Sequence, residues 1–393
     1  MENRKIIPII KTEYKNLSGF AIIDKEKIHI SGSIFFNNSN PYFQGIWTCC
    51  YSDIISIPEL KLELNDTEGH GIICDNCAVA DIQVIINSKI EIKVDILKLT
   101  IQKGKIDKED EVEIYSALRI KKFFGEEFDQ NNHRCVNILE FISKNARLYS
   151  DSESISEISN CNGYLYFPMK ISEFNNSGRK LIDKLCSLLS SVSANFVDSP
   201  YRVLWKDDEN YMIQIHPCKF SNKGVGVFEI TTPGIVQNYL INAWSAWDNY
   251  IGKIDLPSLI DYYVLIENQE IIEVKMLVGC VWMEAIKYEY ASNIAKYKKN
   301  KGGYFLKPNS SKRFSFKELI QEVYRHFGIS NGDLSFIIYR NEIVHQGKIS
   351  LPFEGKFDIY NKLIYSIENI MLIILDYKGD IWDRFKRNPV KFP

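Results

Sequence analysis

Three side chains suited to phosphate chemistry lie close together near the C-terminal end of the sequence: Arg340, Asn341 and His345. A histidine can transfer protons near neutral pH, because its unperturbed pKa of about 6.5 lies close to that pH. An arginine is always charged and can hold a phosphate through two parallel hydrogen bonds. Together they could bind a phosphate and move a proton beside it.

These three residues are predicted to lie on one helix, residues 334–346. At ~100° per residue they fall inside the apolar arc of that helix, with Asn341 and His345 one turn apart. Polar side chains on a face that packs against other elements need partners. We expect the partner to be a second helix, a second protomer or a bound phosphate. The apolar arc consists of Phe336, Ile337, Ile338, Ile343 and Val344.

Residues 339–347 read Tyr-Arg-Asn-Glu-Ile-Val-His-Gln-Gly. This segment resembles the signature of the HEPN superfamily, in which an arginine followed directly by asparagine precedes a histidine by four to six residues. The helix predicted before it contains Trp-Met-Glu-Ala at 282–285 and resembles the first long helix of the Apea-like branch. The resemblance covers residues 233–393. The start of the chain, around residues 19–35, is similar to the β-rich domain that precedes such modules in antiphage proteins.

The resemblance implies a metal-independent endoribonuclease, a hydrolase that leaves a 2′,3′-cyclic phosphate and needs no metal or cofactor. By the same resemblance Arg340 is the phosphate clamp and His345 the proton-transfer residue. Asn341 orients His345 or holds the scissile phosphate. Two motifs meet across a dimer in this superfamily, so we expect a homodimer through the HEPN domain. DNA lacks the 2′-hydroxyl and could not react in this way.

The overall charge of −2 gives no sign of a polyanion-binding protein, so RNA must be bound by local basic patches. Residues 298–313 carry several cations and no acid, interleaved with Tyr304 and Phe305. Such a pattern can follow a phosphate backbone and stack bases, although a solvated loop would look the same. Residues 384–391 offer a second basic stretch. The predicted RNA-binding residues are Lys298, Lys299, Lys301, Lys312 and Arg313.

The fold class is expected to be α+β, with a β-rich N-terminal region followed by an all-α HEPN bundle. Residues 1–230 are predicted to form a sensor or regulatory region of one or two subdomains. Residues 201–205 and 211–215 flank a turn-forming stretch and predict a hairpin, while leucines at helical spacing predict a helix at 179–192. Further strand-like runs lie at 27–36, 82–86, 90–94 and 97–101.

From residue 233 to 393 the hydrophobic period becomes helical and predicts an up-and-down bundle. Ser315 and Glu318 predict a capping box, and Gly328 suits the end of the same helix. The long helix predicted at residues 270–297 is expected to bend near Gly279. The other helices are predicted at 235–250, 256–266, 334–346 and 358–375.

The sequence contains nine cysteines and no recognisable signal peptide, which indicates reduced thiols and a cytoplasmic protein. Cys74 and Cys77 form a CxxC, with His70 shortly before and Cys49–Cys50 upstream. Zinc would need a second pair of ligands. Free thiols are therefore the favoured interpretation, and a structural zinc site is the alternative. The most apolar stretch, 271–286, carries three charges and predicts a buried helix with no membrane contact.

Family resemblance therefore predicts a ribonuclease toxin of antiviral defence, of the abortive-infection type. The N-terminal region would sense a phage-derived trigger or bind a regulatory partner. One alternative is a non-catalytic HEPN module that binds RNA, a nucleotide or a protein through the same polar face. Another is the toxin of a toxin–antitoxin pair.

Overall fold

The computed structural model describes residues 13–23, 26–36, 41–48, 60–85, 89–120, 127–128, 134–137, 146–149, 161, 163–207, 209–216, 221, 223–329, 333–385 and 388–392. These residues form two compact units. The β unit contains the described residues up to 184 together with those from 198 to 216. The helical unit contains Leu185–Val197 and the described residues from 221 onward.

The β unit is built on one antiparallel sheet. Its strands are β1 (Glu13–Ile23), β2 (Glu26–Phe36), β3 (Pro41–Thr48), β4 (Leu60–Asn65), β5 (Gly71–Ile85), β6 (Lys89–Lys103), β7 (Glu111–Arg119), β8 (Glu127–Phe128), β9 (Arg134–Asn137), β10 (Arg147–Tyr149), β11 (Gly163–Lys170), β12 (Asp198–Asp207) and β13 (Asn210–Ile215). The hairpin predicted from the sequence is confirmed as β12 and β13.

Six of the strands close into a barrel, in the order β3-β2-β1-β4-β5-β6, because β6 pairs back onto β3. One edge of β6 contacts β3 from Lys89 to Asp95 and then β13 from Leu99 to Lys103. The sheet continues from β13 through β12, β7, β11, β10 and β9 to β8. The two runs predicted at 90–94 and 97–101 are therefore one strand, shared by the barrel and the open part of the sheet.

The barrel strands have alternating burial, as expected when one face packs inward. On β4, Leu60, Leu62 and Leu64 are buried between residues that are not. Phe43 and Trp47 of β3 are fully buried in the same core. Burial of these large aromatic and aliphatic side chains supplies most of the favourable free energy of the barrel.

The helices begin with the single turn α1 (Ile171–Glu173), which leads through a π-helical turn, Phe174–Gly178, into α2 (Arg179–Ser193). The other helices are α3 (Ile235–Tyr250), α4 (Leu256–Asn268), α5 (Ile272–Glu289), α6 (Phe316–His326), α7 (Phe336–Gln346) and α8 (Phe353–Ile374). The predicted capping box is confirmed, since Ser315 and Glu318 cap each other at the start of α6. Gly328 follows that helix with a positive φ.

Helix α5 is the centre of the helical unit and contacts α4, α6, α7 and α8. A Cβ atom at Gly279 would lie 2.7 Å from Leu363 Cδ2, so glycine allows α5 and α8 to approach closely. Trp282 is buried on the α4 side and donates its indole N–H to the carbonyl oxygen of Leu259, 2.9 Å away. The helix ends in a π-helical turn, Tyr290–Ile294, earlier than predicted.

The C-terminal region is not all α-helical as predicted, because a hairpin of β14 (Asp380–Asp383) and β15 (Asn388–Lys391) follows α8. Helix α8 also begins at Phe353, ahead of the predicted start at 358. Arg384 belongs to the second basic stretch that the sequence offered for RNA, but its side chain is largely buried and pairs with two glutamates. Among the described residues, no helix is long and apolar enough to cross a membrane.

Candidate functional site

Helix α7 carries the motif and is anchored by only part of its apolar arc. Phe336 and Ile343 are buried, whereas Ile338 and Val344 are 68% and 54% exposed. Within the single chain, the face that was predicted to pack against other elements is therefore only partly covered. The helix ends at Gly347, whose φ of 68° suits glycine and stops the helix directly after the motif.

Arg340 is positioned from three sides. Its Nη2 donates to Glu284 Oε1 on α5 at 2.6 Å, and its Nη1 donates to Asn341 Oδ1 at 3.2 Å. Its guanidinium carbon lies 5.0 Å from the centre of the Phe316 ring. The side chains of Arg340 and Glu284 are 30% and 35% exposed. The arginine is thus held in place but remains accessible to a ligand from solvent.

Lys287 adds a second cation to this site. It pairs with Glu284 one turn earlier on α5, and its Nζ lies 4.7 Å from the Phe316 ring centre. Phe316 is therefore contacted by two cations, an arrangement stabilised by the negative face of the ring. Two positive side chains share one carboxylate, so the site has a surplus positive charge that suits a phosphate.

Cys280 lies one turn before Glu284 on α5 and is buried. Burial raises the pKa of its thiol to about 12, with Arg340 acting in the opposite direction. The thiol therefore stays protonated at neutral pH and is a poor nucleophile. We assign it a packing role beneath the arginine–glutamate pair.

Asn341 and His345 are exposed, one turn apart on the outer face of α7. Asn341 contacts Arg340, and within the described part of the chain His345 has no hydrogen-bond or ion-pair partner. The structure thus joins Asn341 to Arg340 by a hydrogen bond and, among the described residues, forms no such bond between His345 and either of them. A substrate that contacts both Arg340 and His345 would have to lie across the exposed face of the helix.

The predicted RNA-binding segment is an ordered loop between α5 and α6. Lys299 donates to the Tyr288 hydroxyl at 2.8 Å and lies 4.8 Å from the Phe305 ring centre. The guanidinium of Arg313 lies 5.1 Å from the Tyr304 ring centre. Buried Phe305 anchors the loop, because it packs in a small core with residues of the π-helical turn and α6.

The other three predicted RNA-binding residues, Lys298, Lys301 and Lys312, are exposed. Where the structure is described, none of them has an ion-pair or hydrogen-bond partner for its ammonium group. Tyr288 lies one turn after Glu284 on α5. Lys299 of the loop contacts Tyr288, and Tyr288 lies on the same helix as Glu284 of the motif site. Helix α5 therefore connects the loop to the motif site.

Among the described residues, the cysteines considered as zinc ligands do not form a metal-binding group with His70. Cys74 is buried in β5, and the two ring nitrogens of His70 are engaged by Asp66 Oδ2 at 2.7 Å and the Tyr211 hydroxyl at 3.0 Å. The other Asp66 oxygen accepts two backbone N–H groups of the same turn. His70 thus has a structural role in this turn. Residues 49 and 50 lie outside the described part of the chain.

Sequence reasoning missed the roles of Glu284, Lys287 and Phe316. Glu284 stood within the helix that resembles a family element, but nothing local connects it with an arginine 56 residues later. Comparison with models of known protein families and with curated proteins finds no match to this chain.

Proposed function

We propose that the helical unit is a metal-independent endoribonuclease of the HEPN type. The observation that supports this most directly is the state of Arg340. Its guanidinium is held by Glu284 but is partly exposed, in a site with surplus positive charge. On the same helix, His345 is exposed and has no hydrogen-bond or ion-pair partner among the described residues. Resemblance of the motif to the superfamily signature is the second support.

In the proposed reaction the 2′-oxygen attacks phosphorus and the bond to the 5′-oxygen breaks. A base removes the proton of the 2′-hydroxyl, and an acid protonates the leaving 5′-oxygen. Arg340 exchanges Glu284 for the phosphate and compensates the charge that develops on its oxygens. His345 serves as one proton-transfer group, and Asn341 holds Arg340 in the phosphate-binding position. The other proton-transfer group comes from His345 of a second copy.

The exposed apolar residues around the motif suit that second copy. On α5, Leu277 and Val281 are exposed at helical spacing, and on α7 Ile338 and Val344 flank the motif. Helices α5 and α7 contact each other, so these residues belong to neighbouring helices. Apolar surface rimmed by polar groups is typical of protein–protein contacts. A homodimer through this face would cover the apolar residues and pair two motifs.

The substrate would extend from the motif onto the loop between α5 and α6. Lys298, Lys301 and Lys312 offer cations for the phosphate backbone, and the exposed ring of Tyr304 offers a surface for a base. Lys299 and Arg313 already contact aromatic rings and would hold those rings in place. We propose single-stranded RNA, since bases must be unstacked to meet these rings.

A role in cytoplasmic antiphage defence, with the β unit responding to a phage-derived trigger, completes the proposal and rests on family resemblance alone. The alternative of a non-catalytic module has one specific observation in its favour. Arg340 is bound to Glu284, and a permanent pair would leave only a binding surface.

The test is cleavage of a fluorescent single-stranded RNA by purified protein in the presence of a chelator. Arg340→Ala and His345→Ala should each lower the rate by about 10²- to 10⁴-fold, the usual contribution of a charge-stabilising or proton-transfer group. Arg325→Ala and His326→Ala are matched controls, because both residues are exposed and lie outside the motif on α6. Cleaved RNA should end in a 2′,3′-cyclic phosphate. Equal rates for motif and control variants would refute the nuclease assignment.

A further inference from the structure

A second site lies in the helical unit away from the motif residues. It is a pocket of about 310 Å³ between the end of α4, the first turns of α5 and α8, and Arg384. A volume of this size falls within the range of small-molecule sites. The motif residues and the lysines and arginine of the loop between α5 and α6 do not line it.

The inner wall of this pocket is fixed by buried charges. Glu267 accepts hydrogen bonds from the Tyr360 hydroxyl at 2.8 Å and from Arg384 Nη2 at 3.1 Å. Arg384 also binds both oxygens of Glu368 and the carbonyl oxygen of Val225. Arg384 thus binds both Glu267 and Glu368, and these hydrogen bonds fix the position of its guanidinium.

Among the described residues, Lys275 is the cation of this pocket that forms no ion pair with a carboxylate. Its Nζ donates to the backbone carbonyl of Glu267 at 3.2 Å and lies 5.2 Å from the Tyr360 ring centre. No carboxylate of the described residues forms an ion pair with it, and burial lowers the pKa of its ammonium group. An anion at this position would stabilise the charged form. At the rim, Lys223 is neutralised by Glu270.

The rest of the pocket suits a flat, polar ring. Gln269 and Asn361 line it, and within the described residues their side-chain amides have no hydrogen-bond partner. Phe357 at the mouth is 45% exposed and stacks on Phe353, with ring centres 6.2 Å apart and planes at 16°. Amides can donate to and accept from the edge of a base, while an exposed phenylalanine ring can stack on its face.

We propose that this pocket binds a nucleoside monophosphate, with the phosphate at Lys275 and the base over Phe357. Asn361 and Gln269 would contact the edge of the base. The site is independent of the nuclease site, so it can be occupied whether or not the protein cleaves RNA. Helix α5 contributes Lys275 to the pocket and Glu284, the partner of Arg340, to the site around the motif.

The test is calorimetric titration of the full chain with AMP, GMP, CMP and UMP, and with inorganic phosphate and the nucleosides as partial probes. At least one nucleotide should bind, and it should bind better than phosphate or its own nucleoside. Lys275→Gln and Phe357→Ala should each weaken binding about tenfold, from the loss of a charge-assisted hydrogen bond and a stacking surface. Lys253→Gln and Phe20→Ala are matched controls, because Lys253 is exposed outside the pocket and Phe20 is 41% exposed.

The Arg340→Ala variant separates this site from the nuclease site. Unchanged nucleotide affinity in Arg340→Ala, together with weaker binding by the two pocket variants, would support the pocket. Loss of binding in Arg340→Ala alone would place the nucleotide at the motif and overturn the proposal. It would also be overturned if no nucleotide binds at millimolar concentration, or if phosphate binds as well as every nucleotide.

Discussion

Two of the arginine–carboxylate pairs described in the helical unit, those of Arg340 and Arg384, differ in exposure and in the number of hydrogen bonds. Arg340 and Glu284 share one hydrogen bond of 2.6 Å, and their side chains are 30% and 35% exposed. Arg384 donates hydrogen bonds to both carboxylate oxygens of Glu368, and these two side chains are only 16% and 4% exposed. The second pair also includes Glu267, whose side chain is 3% exposed. The same chemical groups thus occur in an open and in a closed setting.

The difference shows which pair can exchange its partner. Ion pairs at the surface contribute about 0–1 kcal/mol, and the partly exposed Arg340–Glu284 pair is close to that setting, so a phosphate can replace the carboxylate at little cost. A buried pair is different, because removing one partner leaves an uncompensated charge and costs about 3–5 kcal/mol. We therefore interpret Arg340 as a residue available to a ligand, and Arg384 as a fixed part of the fold.

The largest expected effect is on folding and follows from Arg384→Met. This change leaves Glu267 and Glu368 buried without their cation and should lower the free energy of unfolding by about 3–5 kcal/mol in urea titrations. Arg340→Met, its counterpart at the exposed pair, should change it by less than about 1 kcal/mol. Similar losses for both variants would remove the distinction between the pairs.

The next effect is the pH dependence of the free energy of unfolding that arises from the buried Arg384–Glu368 pair. Burial raises the pKa of Glu368 above its ordinary value of 4.5, and Arg384 only partly opposes this. The folded chain then holds the proton more tightly than the unfolded chain, so stability is present below about pH 4.5 and is lost as pH rises through the folded-state pKa. Wild type should therefore lose stability relative to Glu368→Gln as pH rises above about 4.5, measured by urea titration. The opposite trend would show that Arg384 dominates over burial.

A smaller effect is expected at the exposed lysines of the loop between α5 and α6. Replacing Lys298, Lys301 and Lys312 together by serine removes three phosphate contacts and should reduce the salt dependence of RNA binding. The slope of log affinity against log salt should become shallower by about 2 for single strands. Fluorescence anisotropy at several salt concentrations gives this slope. An unchanged slope would mean that the loop is only a solvated surface.

The smallest effect should come from Glu284→Gln. Because Glu284 competes with RNA phosphate for Arg340, its neutralisation should tighten RNA binding by at most about fivefold, the equivalent of about 1 kcal/mol. The anisotropy assay is suitable, with Glu289→Gln as a control on the same helix. If Glu284→Gln instead weakens binding as much as Arg340→Ala, then Glu284 positions the arginine and does not compete for it.

Features fixed by neighbouring residues could be predicted from the sequence. Ser315 and Glu318 of the capping box are three positions apart, and the β12–β13 hairpin is set by its turn. The partners of the two arginines could not, because Glu284 is 56 residues from Arg340 and Glu267 is 117 residues from Arg384. Arg384 has a structural role because it is buried against Glu267 and Glu368. The residues next to it in the sequence do not indicate this burial. The motif helix was predictable, but the exposure of its apolar arc depends on what packs beside it.

The shared strand β6 has a consequence for how the β unit comes apart. Its first half closes the barrel through β3, and its second half carries β13 and the open part of the sheet. Neither part can lose β6 without breaking the ladder of the other, so the two should unfold as one cooperative block. Amide hydrogens in the middle of β6 should then exchange only through the global opening of that block.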